Sequence, residues 1–135
     1  MKIKASFAVL LSVIFVFGII VYGCGDSGGG SGSGGPKTVT VKYQLSGTVT
    51  TVNSITYKNS TGGNDTLNNV TLPWETSFSL TIEKGSGYYA TISSSSYTGG
   101  NLTAKIFIDG TEVKSVESSG DGYFSVVAVE SIMNY

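Results

Sequence analysis

Ala104-Lys105-Ile106-Phe107-Ile108-Asp109-Gly110-Thr111-Glu112-Val113-Lys114-Ser115-Val116 decides the fold class. Two runs of β-type residues flank a two-residue Asp-Gly. Both loop positions tolerate positive φ, so the stretch predicts a β-hairpin closed by a type I′ turn. The same period of two recurs on both sides of it. Upstream, Val39, Val41, Tyr43 and Leu45 occupy every odd position of one run. Val49 to Lys58 is a second run, with Ile55 and Tyr57 on one face. Thr61-Gly62-Gly63-Asn64-Asp65 is a loop, and Leu67 to Leu72 a short strand ended by Pro73, which has no N–H for a ladder. Phe78, Leu80 and Ile82 alternate within Thr76–Glu83, as do Tyr88, Ala90 and Ile92 within Tyr88–Ser94. Ser118-Ser119-Gly120-Asp121-Gly122 makes a turn into Tyr123–Met133, whose continuous apolar centre predicts a strand buried on both faces.

No helical repeat occurs after residue 24. About seven short strands with frequent turns predict an all-β fold, an antiparallel β-sandwich over residues 37–135. It is immunoglobulin-like only in architecture, because the paired cysteines that flank a core Trp in that fold are missing. Trp74 follows Pro73 at an apparent strand break. Two roles are open to it: display at a sheet edge, or a plug at one end of the core.

The N-terminus is of another kind. Lys2 and Lys4 precede an uncharged apolar run from Ala5 to Tyr22, and Val21-Tyr22-Gly23-Cys24 closes it with the chain's one cysteine. This is the layout of a secretory signal peptide, and the last four residues resemble a bacterial lipobox. Residues 1–23 then form a lipoprotein signal, Gly23 precedes the cleavage site, and Cys24 is lipidated and anchors the protein. Two other readings compete. As a helix, Ala5 to Gly23 would span about 28 Å, close to the ~30 Å hydrocarbon core, so the segment could be a retained anchor. A plain signal peptide would leave Cys24 as an odd thiol. All three place the folded part outside the cytoplasm, anchored to the membrane on its periplasmic or cell-surface side in the first two. Gly25–Gly35, GDSGGGSGSGG, is a flexible linker with a typical span of about 17–20 Å. The linker segment, 24–36, ends at Pro36.

Composition excludes several classes. The eight basic residues are all Lys, and two of them sit in the leader, so the remainder is net acidic against nine Asp and Glu. Nucleic acid would need a basic patch to neutralise phosphates, and none is present. The chain has no His, the usual general base near neutral pH. Its domain has no thiol, and no G-x-S-x-G elbow occurs. The expectation is a non-enzyme with no catalytic residues and no cofactor. Asp65, Asp109 and Asp121 lie in Gly-containing turns, but none begins a calcium-loop pattern, so no metal site is expected. Four Asn-x-Thr/Ser sequons begin at Asn59, Asn64, Asn69 and Asn101. A chain this rich in Asn and Thr produces them by chance. Tyr43, Tyr57, Trp74, Tyr88, Tyr89, Tyr97 and Tyr123 either fill the core and pair across strands or form a recognition face. Trp74, Tyr88 and Tyr89 are the candidate partner-contact residues.

One ordered pattern is more specific. Val41-Lys42-Tyr43-Gln44-Leu45-Ser46-Gly47 is followed by Ile55-Thr56-Tyr57-Lys58-Asn59, then Val70-Thr71-Leu72-Pro73-Trp74-Glu75-Thr76-Ser77-Phe78, then Ile106-Phe107-Ile108-Asp109-Gly110 and Gly122-Tyr123. This resembles the small mycobacterial membrane proteins of the MmpS type over nearly all of residues 37–130, the L-P-W-x-x-x-F piece being the most distinctive. The resemblance implies a membrane-tethered β-sandwich that serves as an accessory partner of a resistance-nodulation-division exporter. Two features depart from it. A lipobox and Gly/Ser spacer replace the family's usual retained helix. Ala104 and Ala128 stand nearest to where the family carries a cysteine pair. Three functions follow as expectations: an envelope adaptor that binds a protein, a carbohydrate- or lipid-binding module using exposed Tyr and Trp, or a structural surface lipoprotein.

Overall fold

The computed structural model describes residues 34–135. The signal or anchor segment, Gly23, Cys24 and most of the linker lie outside the described residues. Eight strands follow in order: β1 (Lys37–Gly47), β2 (Thr51–Lys58), β3 (Asn64–Thr71), β4 (Trp74–Ile82), β5 (Gly87–Ser96), β6 (Gly100–Ile108), β7 (Thr111–Gly120) and β8 (Phe124–Met133). They form two four-stranded antiparallel sheets, ordered β4-β1-β6-β7 and β3-β2-β5-β8. The fold is an antiparallel β-sandwich. The strands number eight rather than about seven.

The core follows from the period of two, which sends alternate side chains to opposite faces. Val39, Val41, Tyr43 and Leu45 of β1 are buried against Ala90 and Ile92 of β5, Leu102, Ala104 and Ile106 of β6, and Val126 and Ala128 of β8. Each large aliphatic side chain so enclosed contributes about 1.5–3 kcal/mol. The alternation breaks once in β2. Val52 and Ile55, three residues apart, are both fully buried. The break falls at Asn53-Ser54, opposite Asn69, whose φ of 53° is a conformation Asn adopts more readily than most residues.

Asp109 and Gly110 have φ of 51° and 82°, as a type I′ turn requires. The Asp109 carboxylate also accepts a 2.7 Å bond from the Thr40 N–H, which ties the hairpin tip to β1. Gly47 (φ 153°) is a second required glycine, because an added Cβ would collide with the Asn101 carbonyl.

One expectation is overturned. β8 is not buried on both faces: it is an edge strand, paired only with β5. Phe124, Val126, Ala128 and Ile132 point inward, while Val127 (52 % exposed), Val129 (45 %) and Met133 (39 %) face solvent. A run of apolar residues looks the same in sequence whether its second face is covered or bare.

Candidate functional site

The registers define two ends of the sandwich. Lys37 of β1 lies opposite Ile82, and Gly87 opposite Met133. The Asn134 amide donates to the Ile82 carbonyl at 2.8 Å and to the Gly35 carbonyl at 3.3 Å. The linker therefore joins at the end where the described chain also finishes. The opposite end carries the β1–β2, β3–β4, β5–β6 and β7–β8 connections. It is knitted together by Thr48 and Asn101, whose backbones bond each other's side chains at 2.7 and 3.0 Å, and by Leu72 N–H to the Thr50 carbonyl at 2.9 Å.

The three candidate contact residues separate. Tyr88 is buried, 8 % exposed, and its hydroxyl sits 2.9 Å from the Lys58 carbonyl and 2.8 Å from that of Asn59. It belongs to the core, as a side chain in phase with Ala90 and Ile92 must. Trp74 opens β4 opposite Leu45 and is half-buried, its ring 5.3 Å from that of Tyr57. Tyr57 in turn meets Tyr43 at 5.7 Å, and Tyr43 meets Phe78 at 5.9 Å. Trp74 thus completes an aromatic cluster between the sheets and is not displayed. Tyr89 alone of the three is open to solvent, at 61 %.

Tyr43 and Tyr88 hold the end of β2 in place. Tyr43 donates to the Lys58 carbonyl at 3.0 Å and accepts from the Thr91 N–H at 3.3 Å. Burial, then contact with Tyr88, pushes the Tyr43 phenol well above the ordinary tyrosine range. Burial also raises Tyr88. Tyr57 is raised by burial and then by the Asp65 carboxylate.

The outer face of sheet β3-β2-β5-β8 presents what the core does not use. Facing pairs run along β5 and β8: Ser95–Ser125, Ser93–Val127, Thr91–Val129, Tyr89–Ser131 and Gly87–Met133. One step beyond the last pair of the ladder, Tyr97 and Tyr123 touch, with centroids 5.1 Å apart and planes at 42°. Tyr89, Val127, Val129 and Met133 form an apolar stripe toward the linker end. Across the sheet lie hydroxyls, Ser54 with Ser95 at 3.2 Å and Thr56 with Thr66 at 3.0 Å. The outer face of the other sheet is charged. There Lys42 pairs with Glu75 at 3.4 Å and covers the Phe107 ring at 4.8 Å, and Lys105 pairs with Glu112 at 2.8 Å.

Sequence reading missed the stripe because it assigned β8 two buried faces. The signal for it was the parity of Val127, Val129 and Met133 against Val126 and Ala128. A cleft of about 260 Å³ lies between the Ser60–Gly62 turn and the β4–β5 connection. It is smaller than the usual small-molecule site of roughly 300–1,000 Å³, and Glu83 is the one carboxylate lining it. Among the described residues no cluster of three or more His, Cys, Asp and Glu could hold a metal, and no helix is long and apolar enough to cross a membrane. Ala104 and Ala128 are fully buried on β6 and β8, strands that approach each other across the layers. Neither models of known protein families nor curated protein sequences match the chain.

Proposed function

We propose that this protein is a membrane-tethered, non-catalytic adaptor of the cell envelope, lipid-anchored through Cys24, that binds a protein partner through the outer face of β5 and β8. The observation that carries the reading is the stripe of Tyr89, Val127, Val129 and Met133. It gathers four exposed apolar side chains on one face of β5 and β8, on a sandwich whose other outer face is charged. Tyr and Met are enriched in protein interfaces, and charged residues are depleted from their centres. The stripe carries no charge, and it begins at the linker end. A tether of about 17–20 Å would hold that end close to the bilayer, within reach of an integral membrane protein. The MmpS-type resemblance supports the same class of partner, a resistance-nodulation-division exporter.

The test is crosslinking and capture from membranes of the native host. Wild-type protein is expected to enrich one integral membrane protein. Val127→Lys with Val129→Lys should abolish that enrichment, while Ser79→Lys on the charged sheet should not. Capture that is unaffected by the two lysines, or no enrichment over Cys24→Ala, would sink the adaptor reading.

A further inference from the structure

We propose that the Tyr97–Tyr123 pair is a binding platform for a neutral saccharide, separate from the apolar stripe. Both residues lie at the end of the sandwich farthest from the linker, one β-strand length away, roughly 30 Å. They are 68 % and 65 % exposed, so their contact with each other leaves most of both side chains open. At 42° the rings are not stacked face to face. The platform is held in advance of any ligand. The Tyr97 N–H donates to the Asn53 side chain at 3.0 Å, and Ser96 beneath it is buried and bonded to Thr98. Phe124, next to Tyr123, is buried in the core.

The surroundings select the chemistry. Connections at this end run through Gly47–Thr51, Leu72-Pro73, Tyr97–Gly99 and Asp121–Tyr123. They contain no Lys, and Asp121 is their one charge. An anionic ligand would meet a carboxylate and no cation, which excludes phosphates and nucleic acid. The rows next to the rings on the same face are Ser95 with Ser125, and Ser54 with Asn68 beyond. Hydroxyls and amides both donate and accept, and a carboxylate accepts. This set matches the hydroxyl groups of a sugar, whose C–H faces pack on aromatic rings. A protein hot spot would instead sit within a dry apolar surround. Here Ser95 and Ser125 separate the rings from Val127, so the polar rim begins at once.

The experiment is isothermal titration of the full chain, in a detergent without a sugar headgroup, with β-1,4-linked hexasaccharides of glucose and of N-acetylglucosamine. Saturable binding of at least one is expected. Tyr97→Ala and Tyr123→Ala should each weaken it at least tenfold. Asp121→Ala, which leaves the ring pair in place, should weaken it severalfold. Val127→Lys with Val129→Lys should leave it unchanged, so failure here and failure of the adaptor reading are distinguishable. No saturable heat with either sugar, or full binding by the double alanine variant with an unchanged melting temperature, overturns the proposal. So does loss of the captured membrane protein on Tyr97→Ala without any sugar binding, which would assign the pair to the protein interface.

Discussion

Asp109 shows how much one residue can carry. It occupies a positive-φ position and accepts a bond from the β1 backbone. Asp109→Ala should cost about 0.5–1.5 kcal/mol, the net range for a typical hydrogen bond, in urea unfolding at neutral pH. Asp109→Asn keeps both the turn preference and the acceptor oxygen and should recover most of it. Equal losses for the two variants would show that charge, rather than turn and bond, is what matters. The turn was legible in sequence because its cause is local: two adjacent residues that tolerate positive φ. The carboxylate's bond to Thr40, 69 residues away, was not. Tyr88 is an intermediate case. Its phase with Ala90 and Ile92 points inward, yet by composition it stands beside Tyr89 as a candidate contact residue; the structure buries it.

At the scale of the element, β8 is where sequence reading and structure part. Val126-Val127-Ala128-Val129 has the composition of a central strand, but its place at the edge follows from its single pairing with β5 and from the five pairings among the other strands, which no local pattern encodes. β3 departs in the opposite direction: Asn64 and Asp65, expected in a loop ahead of a short strand from Leu67, pair with Lys58 and Tyr57 of β2, since a ladder needs backbone groups rather than apolar side chains. The outward phase of β8 has a measurable consequence. Val127→Thr and Val129→Thr should each change unfolding free energy by no more than about 0.5 kcal/mol, as surface substitutions do. Ile92→Ala, on the fully buried phase of β5, should cost about 2–5 kcal/mol. Comparable losses at Val127 and Ile92 would mean that the outer face of β8 is covered in solution.

For the whole molecule, the fold class was readable because the period of two marks β1, β4, β5, β6 and β8, and a sandwich is what such strands build when no helix covers them. The candidate surfaces were less readable, because exposure depends on which strand ends up at an edge. The buried phenols set a pH limit. Tyr43, Tyr57 and Tyr88 are all raised above the ordinary tyrosine value in the folded state. A raised phenol favours the folded state fully below the unfolded pKa of about 10. That contribution is lost as pH climbs from there toward the folded values, because the unfolded chain releases its protons first. The melting temperature, followed by circular dichroism, should therefore fall steeply above pH ~10. Tyr43→Phe, at the most strongly raised of the three, should flatten the fall even while lowering stability at neutral pH.

The strand that receives the linker is β1, and it lies inside its sheet, paired with β4 on one side and β6 on the other. Any force that reaches the domain along the chain preceding Pro36 pulls β1 lengthwise. If a ligand holds the far end of the sandwich, that pull loads both ladders in shear, so their hydrogen bonds share the strain at once and do not open singly as they would at an edge strand. The order β4-β1-β6-β7 thus makes the first strand a mechanical grip. A domain arranged this way can bear a pull on the chain ahead of Pro36 without beginning to unravel at that point.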